Sequence, residues 1–515
     1  MVKLKEKMIE HKNEHQVEVW DLAEAPPSTE VAHLLDYATA SKYLVIPLKQ
    51  EKGRLWLAMA NPTNHQAIED LQAITGLFVE PVFSEESDIR YQLNRLYGMA
   101  AIETIASQFL VDENLRKTPI NTELRAQIQS APTVQLVDSL IESAFLNKAS
   151  DIHIEPYENI LRARFRIDGH LTNSQNVNIN LLPNVISRLK IMAGMNIADK
   201  RMPQDGHFSL RIHEENIDFR LSTLPTLYGE KAVIRLLYGQ HKRFKLHELG
   251  FFKEDLPVFE RLLQSPYGAV IITGPTGSGK TTTLTSFMAK LNSESQNIVT
   301  VEDPVENPIE GINHVAIDVK VGLDFPRALR HILRQDPDII MVGEIRDNET
   351  AAITAQAAIT GHLVLSTLHT NDAKGVFPRL VDMEVEPFMV AASLNAVIAQ
   401  RLVRRLCPLC KVASQPKSSE AEWLKLPIDA SVYIPRENGC NQCGNTGYKG
   451  RFAIYEYILI DETMRREMAA VKYEAARVES IMASAMSASM LENGSKNVLE
   501  GNTSADEIIR EVFRR

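Results

Sequence analysis

The chain has 515 residues, enough for about three or four domains that each bury a core of their own. Hydrophobic residues make up 44% and charged residues 24%, which are ordinary globular values, and a net charge of −10 argues against a nucleic-acid-binding protein. The N-terminus MVKLKEKMIEHKNEH lacks an apolar signal-peptide core, and no apolar run approaches the ~18 residues of a membrane span, so we expect a soluble, cytoplasmic protein.

Residues 1–100 predict a small α/β unit behind a polar lead-in. Strand patterns (YLVIPL, RLWLAMA, LFVEPVF) alternate with helical patterns (EVAHLLDYATA, HQAIEDLQAIT, ESDIRYQLNRLY). Asn61-Pro62 and Gly76 supply turn signals between them. Since no catalytic constellation is present, this unit is interpreted as an N-terminal docking domain. Residues 101–131, including TPINTELRAQIQSAP, are less patterned and are interpreted as a linker.

Residues 132–240 predict a second α/β domain. It begins with the helix TVQLVDSLIESAFLNKA, and its strands are SDIHIEP, LRARFRID, HFSLRIH, IDFRLST and KAVIRLLY, with another helix near residues 181–194. Asp168-Gly169 is a hairpin turn signal. The period of two in LRARFRID places Arg162, Arg164 and Arg166 on one face of the sheet. Those arginines are either functional or part of an ordinary solvated face.

Residues 241–515 alternate strands and helices. The strand patterns AVIITG, NIVTVE, DIIMVGE and HLVLSTL are near-continuous apolar runs, which is typical of parallel strands covered on both faces. The predicted fold is therefore an α/β domain built on a parallel sheet. After Gln400 the pattern is interpreted as helical, interrupted by a cysteine-bearing segment.

The sequence GPTGSGKT at residues 274–281 is a phosphate-loop motif between a predicted strand and a predicted helix. Its glycines let backbone N–H groups turn inward, and the positive end of the helix completes an anion cradle. The flanking elements disfavour the alternative of a flexible loop that matches by chance. We expect Lys280 to reach the β- and γ-phosphates of a nucleoside triphosphate and Thr281 to ligate Mg²⁺. The predicted nucleotide-binding residues are Gly274, Pro275, Thr276, Gly277, Ser278, Gly279, Lys280, Thr281 and Thr282.

Polar residues follow three strands of this predicted sheet, where ligands of open parallel sheets bind. NIVTVEDPVE supplies Glu302, Asp303 and Glu306; DIIMVGEIRD supplies Glu344, Arg346 and Asp347; HLVLSTLHTND supplies His369 and Asp372. Chance could place an acid after one strand, but agreement of three strands indicates a hydrolysis site.

Each of these groups receives a role from the chemistry. In-line attack of water on a γ-phosphate needs an acceptor that orients the water, which we assign to Glu302, with Glu306 as the alternative. Glu344 is placed to hold Mg²⁺ through water, and His369 to contact the γ-phosphate and report its loss. A buried, satisfied histidine remains the alternative for His369, and His362 at a strand start is interpreted as structural.

All four cysteines fall in two C-x-x-C pairs, Cys407/Cys410 and Cys440/Cys443. Each pair can present two thiolates to one tetrahedral metal, so the set predicts a closed, structural zinc site. Lengthening the loop between the pairs costs only a fraction of a kcal/mol per doubling, roughly, so the long spacer is acceptable. Redox-active or unligated cysteines are the alternative.

Four segments, GPTGSGKTTTL, TVEDPVE, LRQDPDIIMVGEIRD and GHLVLSTLHTND, resemble the Walker A, aspartate, Walker B and histidine boxes of the secretion ATPases, in the same order. That family drives type II secretion and type IV pilus assembly. The resemblance runs from about residue 133 to the C-terminus, and before residue 100 the chain is similar to the family's N-terminal docking domain. In the matching segment RMPQDGHF, His207 stands where an arginine or lysine is more familiar.

The resemblance implies a homohexamer of RecA-like domains, which are residues 241–515 here, with the zinc element at residues 407–443. Residues 132–240 then form a PAS-like α/β domain that completes the nucleotide site. It implies that Arg220 and Arg235 approach the phosphates, with Arg330 and Arg334 as further candidates. The zinc element occurs in the assembly branch of the family and is lacking in the pilus-retraction branch.

The resemblance also implies partners and a place in the cell. An ATP-hydrolysing hexamer would be attached to the inner membrane through a membrane-embedded platform protein and a cytoplasmic adaptor bound by the N-terminal domain. No nucleic acid is expected as a partner.

Three alternatives stay open. A RecA-like core also serves nucleic-acid motors of the helicase, conjugation or DNA-uptake type, although the acidic balance and the lack of an aromatic–basic stretch argue against one. A regulatory nucleotide-binding scaffold would not hydrolyse its ligand. The N-terminal unit of some relatives senses a cyclic dinucleotide, but the leucine/glycine-rich pattern for this is absent from residues 1–40.

Overall fold

The computed structural model describes residues 19–93, apart from 21, 23–26, 28, 33, 87, 90 and 91, and residues 122–513, apart from 173–175, 214, 239–244, 428 and 471–473. The chain divides into two compact units, residues 1–239 and 240–515. Within the described ranges, no helix combines the length and the apolar character needed to cross a bilayer. The polar lead-in, the end of the predicted helix ESDIRYQLNRLY and most of the predicted linker lie outside the described residues.

The N-terminal part of the first unit is a three-stranded sheet with short helices. In chain order the elements are α1 (Thr29–Ala32), α2 (Tyr37–Tyr43), β1 (Val45–Glu51), β2 (Arg54–Met59), α3 (His65–Thr75) and β3 (Phe78–Phe83). Strands β1 and β2 are antiparallel and β3 is parallel to β2. Helix α3 begins at the Asn64 cap and ends at Gly76, which has a φ of 68°, so the turn signal there is confirmed. The single helix predicted for EVAHLLDYATA is wrong, because the Asp36 side chain caps a new helix within it.

The second part of this unit is an antiparallel sheet covered by two helices. Its elements are α4 (Thr122–Leu146), β4 (Asp151–Pro156), β5 (Ile160–Ile167), β6 (His170–Leu171), β7 (Asn176–Asn178), α5 (Leu182–Met192), β8 (Gln204–Ile212), β9 (Glu215–Thr226) and β10 (Gly229–Leu237). The strand order is β6-β5-β4-β10-β9-β8, and β7 pairs with β5. Residues on one face, such as Ile154, Phe219 and Ile234, are buried together with Leu140 of α4 and Ile186 of α5. The opposite face is polar.

Two predictions made from the sequence of this part can be compared with the structure. Asp168 and Gly169, with φ of 48° and 86°, form the turn between β5 and β6, which confirms the hairpin. The predicted start of the first helix at Thr133 is wrong, because helix α4 begins at Thr122 and runs past Pro132. A proline removes one helical hydrogen bond and often ends a helix, which is why the sequence suggested a start at Thr133.

The second unit is a seven-stranded sheet with helices on both faces. Its strands are β11 (Gly268–Thr273), β12 (Ile298–Glu302), β13 (Asn313–Ala316), β14 (Ile339–Val342), β15 (Leu363–Leu368), β16 (Leu394–Leu406) and β19 (Tyr448–Leu459), with a separate hairpin of β17 (Val412–Ser414) and β18 (Val432–Ile434). The order is β13-β12-β14-β15-β11-β16-β19. All neighbours are parallel except β16 and β19. Successive residues such as Val270 and Ile271 enter two separate cores, which confirms a parallel sheet buried on both faces.

The helices of this unit are α6 (Leu256–Leu263), α7 (Lys280–Leu291), α8 (Phe325–Ile332), α9 (Asn348–Ile359), α10 (Val376–Asp382), α11 (Pro387–Ser393), α12 (Ser418–Leu424), α13 (Glu462–Ala470), α14 (Ala475–Ser484), α15 (Met490–Leu499) and α16 (Ala505–Val512). The prediction that the chain turns helical after Gln400 is wrong, because β16 continues to Leu406 and β19 follows. The β19 partner lies some fifty residues further along the chain. Such a non-local pairing leaves no local signal in the sequence.

Candidate active site

The phosphate-loop motif lies between strand β11, which ends at Thr273, and helix α7, which begins at Lys280. Gly274, Gly277 and Gly279 have φ of 143°, 81° and 87°, a region that residues with a Cβ rarely adopt. A Cβ on Gly274 would stand 2.4 Å from the carbonyl oxygen of Gln400. The strand–loop–helix context predicted from the sequence is therefore confirmed.

Lys280 lies along the inside of this loop. Its Nζ donates to the carbonyl oxygens of Gly274 at 2.7 Å and Pro275 at 3.3 Å, and the residue is 9% exposed. Burial lowers the pKa of Lys280 to about 8, and the charge of Glu344 opposes that shift. Thr281, in the first turn of α7, is exposed. The loop therefore carries a cation on its inner side and a hydroxyl beside it, which are the groups that phosphates and Mg²⁺ require.

A buried glutamine that belongs to none of the sequence motifs supports the loop. Gln400 on β16 is 0% exposed; its Nε2 donates to the Ser278 carbonyl at 2.8 Å, and its Oε1 accepts from the Thr283 hydroxyl at 3.0 Å. One side chain thus ties the loop to the helix that follows it. A polar residue directly after the apolar run AVIA, at residues 396–399, was the available signal.

The register of the sheet brings the polar groups at the strand ends to one edge. Val301 of β12 pairs with Val342 of β14, which pairs with Ser366 of β15. Glu302 therefore ends β12, Glu344 follows β14 and His369 follows β15 on the same side of the sheet. On the next strand Thr273, which leads into the phosphate loop, pairs with Leu368. The strands that lead to Glu302, Glu344 and His369 are thus neighbours in the sheet, and the last of them pairs with the strand that leads into the loop.

Glu344 is the centre of an ionic cluster. Its Oε1 lies 2.5 Å from Arg346 Nη2, and its Oε2 lies 3.6 Å from His369 Nε2. Burial and the charge of Lys280 lower the pKa of His369, against the influence of Glu344. The His369 side chain is 49% exposed, so the alternative of a buried, satisfied histidine does not hold. Asp347 has another function, since its side chain caps helix α9.

The two candidate acids at the end of β12 differ in their surroundings. Glu302 is 6% exposed, and its Oε1 accepts from the Thr300 hydroxyl at 2.7 Å and lies 2.8 Å from His314 Nδ1. Glu306 is exposed. A fixed, buried carboxylate is the better candidate for orienting a water molecule, because an exposed one samples many positions. His362 Nδ1 lies 3.1 Å from the carbonyl oxygen of Ala357, and this contact at a helix end suits a structural role.

Arg220 and Arg235 lie in the first unit as a directly opposed pair on β9 and β10. They line a pocket of about 590 Å³ together with His207, Asp151 and Asp205. Arg235 Nε donates to Asp151 at 2.8 Å. Two arginines at a pocket can take part in binding an anion. Of the further candidates in the second unit, Arg330 pairs with Glu349, and Arg334 donates to the Arg330 carbonyl.

The three arginines of β5 are matched by acids on the neighbouring strand. Arg162 and Arg164 contact Glu155 at 3.1 and 2.9 Å, and Arg166 lies 3.7 Å from Asp151. Burial opposes the ionisation of Glu155, but Arg164 and Lys231 outweigh it and lower its pKa to about 2. These pairings favour the solvated-face interpretation of the β5 arginines.

The four cysteines converge on one point. Their sulfur atoms lie within 4.8 Å of one another, and the Cys407–Cys440, Cys410–Cys443 and Cys440–Cys443 distances are each 3.8 Å. A tetrahedral zinc with Zn–S of about 2.3 Å requires sulfurs about 3.8 Å apart. Burial opposes ionisation of Cys443, but the N–H groups of Cys440 and Gly447 outweigh it and lower its pKa to about 7. The residues present fit a zinc ion.

Comparison with known proteins shows which family this chain resembles. Residues 126–512 match the description "Type II/IV secretion system protein", and residues 15–103 match an MshEN domain. A type IV pilus assembly ATPase, PilB of Myxococcus xanthus, is 41% identical over 501 residues, covering 93% of this chain and 86% of the relative. A putative type II secretion system protein E of Escherichia coli is 46% identical over 454 residues, covering 87% and 92%.

Solved structures agree on the fold. The ATPase DotB of Legionella pneumophila matches with a TM-score of 0.53 at 20% identity, covering 72% of this chain and 93% of that one. With a family match over residues 126–512 and relatives above 40% identity over most of its length, this chain belongs to the Type II/IV secretion system protein family.

Proposed function

We propose that this chain is an ATP-hydrolysing motor that powers type IV pilus assembly or type II protein secretion. The observation that carries the proposal is the convergence at one sheet edge of the phosphate loop with Lys280 and the strand-end groups Glu302, Glu344 and His369. A phosphate cradle alone would suit kinases, GTPases and motors alike. The printed names of the relatives, a pilus assembly ATPase and type II secretion proteins, support the assignment of the client machine.

The chain's own groups divide the reaction between them. Residues 274–282 bind the phosphates of ATP, with the backbone N–H groups of the loop and the Lys280 ammonium as donors. Thr281 and, through water, Glu344 would hold Mg²⁺, which supplies charge neutralisation on the phosphates. Glu302 accepts a hydrogen bond from the attacking water and orients it in line with the γ-phosphate.

His369 and the paired arginines supply the sensing of the γ-phosphate. The His369 segment is tied to the loop, because the Thr370 N–H donates to the Thr273 hydroxyl at 2.9 Å. A change at the γ-phosphate therefore reaches β11 and β15 together. Arg220 and Arg235 approach the phosphates in the assembled protein, and an arginine at the developing charge can contribute about 10³–10⁵ in rate.

The architecture that goes with this activity is a homohexamer of RecA-like domains formed by residues 241–515. A PAS-like domain of residues 132–240 completes each nucleotide site, and residues 1–100 dock on the machine. The partners are an inner-membrane platform protein and a cytoplasmic adaptor, so that the chain works in the cytoplasm, attached to the membrane through proteins. The cysteine cluster is a zinc-binding insertion, supported by sulfur distances of 3.8 Å.

A phosphate-release assay on the purified chain tests the hydrolysis step. We expect Mg²⁺-dependent phosphate release from ATP, and we expect Glu302→Gln to abolish it while Glu306→Gln retains it. Glu306→Gln is the matched control, because it makes the same chemical change at an exposed position four residues away. No release by the wild-type chain, as a regulatory scaffold would show, contradicts the proposal.

A nucleic-acid motor is the rival function, since a RecA-like core serves both. We expect single-stranded DNA to leave the rate of phosphate release unchanged. Stimulation by single-stranded DNA that disappears at moderate salt would favour the rival, because phosphate contacts weaken steeply as salt rises.

A further inference from the structure

A histidine that belongs to none of the predicted site residues lies against the carboxylate of Glu302. His314 is on β13, the edge strand of the sheet, in register with Thr300 of β12. Side chains two residues apart on a strand share a face, so Thr300 and Glu302 project to the side on which His314 meets them. The distances are 2.8 Å from His314 Nδ1 to Glu302 Oε1 and 2.9 Å from Nδ1 to the Thr300 hydroxyl.

The tautomer of His314 follows from its second nitrogen. The backbone N–H of Ile309 donates to Nε2 at 3.0 Å, so Nε2 is an acceptor and carries no proton. A neutral ring therefore carries its proton on Nδ1, the nitrogen that faces Glu302. The Thr300 hydroxyl lies 2.7 Å from the same Oε1 and donates to it. Two donors thus converge on one oxygen of the carboxylate.

The other oxygen of Glu302 is left for a different partner. Among the described residues, every hydrogen bond to this carboxylate falls on Oε1. With Oε1 fixed by two donors, the plane of the carboxylate is fixed as well, and Oε2 points its lone pairs in a set direction. His314 itself is 10% exposed at its side chain, so solvent does not compete strongly for its proton.

We propose that His314 is a positioning residue for ATP hydrolysis: it holds Oε1 of Glu302 so that Oε2 is oriented toward the attacking water. The inference rests on the proposed function, in which Glu302 orients that water. His314 does not touch the nucleotide and transfers no proton. Its contribution is geometric, because a misplaced acceptor lengthens the hydrogen bond that aligns the water with the γ-phosphate.

Three substitutions in the full chain test this. His314→Leu removes both the donor and the acceptor at similar volume. His314→Gln keeps one N–H donor and one carbonyl acceptor on a side chain of similar length, and so preserves the connections to Glu302 and Ile309. His247→Leu, at an exposed position, is the matched control for loss of a histidine.

Steady-state ATP hydrolysis gives the primary result. We expect His314→Leu to lower kcat about 10- to 100-fold with KM for ATP nearly unchanged, and His314→Gln to recover kcat to within a few-fold of wild type. A purely structural role would not be rescued selectively in kcat. Wild-type kcat in His314→Leu, or an unrescued His314→Gln that folds normally, overturns the inference. If His314→Leu fails to fold, His314→Phe, which keeps an aromatic ring but has no ring nitrogen, replaces it: we expect the same loss of kcat, and a wild-type kcat overturns the inference.

Glu302→Gln distinguishes a failure of the proposed function from a failure of the positioning role of His314. If Glu302→Gln keeps wild-type kcat, the assignment of Glu302 fails, and with it the proposed mechanism. If Glu302→Gln is inactive while His314→Leu is fully active, only the positioning inference fails. In single-turnover phosphate release, adding His314→Leu to Glu302→Gln should cause no further loss, because both act through the same carboxylate. A further multiplicative loss contradicts action through Glu302.

Discussion

Because Gln400 supports the phosphate loop, its replacement should change the free energy of local opening of the loop by a measurable amount. In Gln400→Leu, the carbonyl of Ser278 and the hydroxyl of Thr283 lose their partner in a site from which water is excluded. An unsatisfied buried polar group costs about 1–3 kcal/mol. Leucine contributes some apolar packing in return, so we expect local opening of the loop and helix α7 to become easier by about 2–4 kcal/mol. The folded sheet beneath them should persist, because strand β16 also carries the buried apolar residues 396–399 and Val403.

Hydrogen exchange on the full chain measures this change. A loss of 2 kcal/mol in local opening free energy corresponds to amide exchange about 30-fold faster in residues 274–291. Thr283→Val removes only the hydroxyl, at equal size, and should cost about 1–2 kcal/mol. The double variant should cost about 1 kcal/mol less than the sum of the two. Additivity to within about 0.3 kcal/mol would refute the argument that the two side chains act as one clamp.

Three further predictions concern the site and its surroundings. Glu155→Gln should lower the unfolding free energy of the first unit by about 1–2 kcal/mol at pH 7, a range that allows for solvent screening. The pKa of Glu155 is depressed from 4.5 to about 2, so urea unfolding should show this loss shrinking as the pH falls from 4.5 toward 2. Metal analysis should find roughly one zinc per chain, and Cys410→Ser should release it and lower the unfolding temperature, whereas a metal-free wild-type chain of equal stability would contradict the site. Gly274→Ala should abolish binding of a fluorescent ATP analogue, since the added Cβ would stand 2.4 Å from the Gln400 carbonyl, while near-normal affinity would contradict the rigid loop.

The parts of the fold that sequence predicts here are those with local signals. The amphipathic pattern of HQAIEDLQAIT, closed by Gly76, gave helix α3, and Asp168-Gly169 gave the β5–β6 turn. The apolar runs before the phosphate loop and the strand-end acids gave the parallel strands. In each case the residues that specify the helix, strand or turn lie within it, so a short window of sequence is enough to predict it.

The missed features depend on residues that are distant in sequence. The part of strand β16 after Gln400 is interpreted as helical from the sequence, because its partner β19 begins only at Tyr448. Gln400 looks like any polar residue until β16 packs beside the loop, and His314 has no signal until the edge strand β13 places it beside Glu302. Local sequence patterns can indicate which residues take part in the chemistry. They do not indicate which residues keep those side chains in position.

Hydrolysis of ATP at this site is tested most simply by phosphate release from the purified chain and from two variants, Lys280→Ala and Glu344→Ala. The account predicts Mg²⁺-dependent release by the wild type and less than about 1% of that rate in either variant, because transition-state charge would lose its main stabilising groups. Circular dichroism and thermal unfolding should show that both variants remain folded. Normal ATP hydrolysis by either folded variant would contradict the assignment of this site.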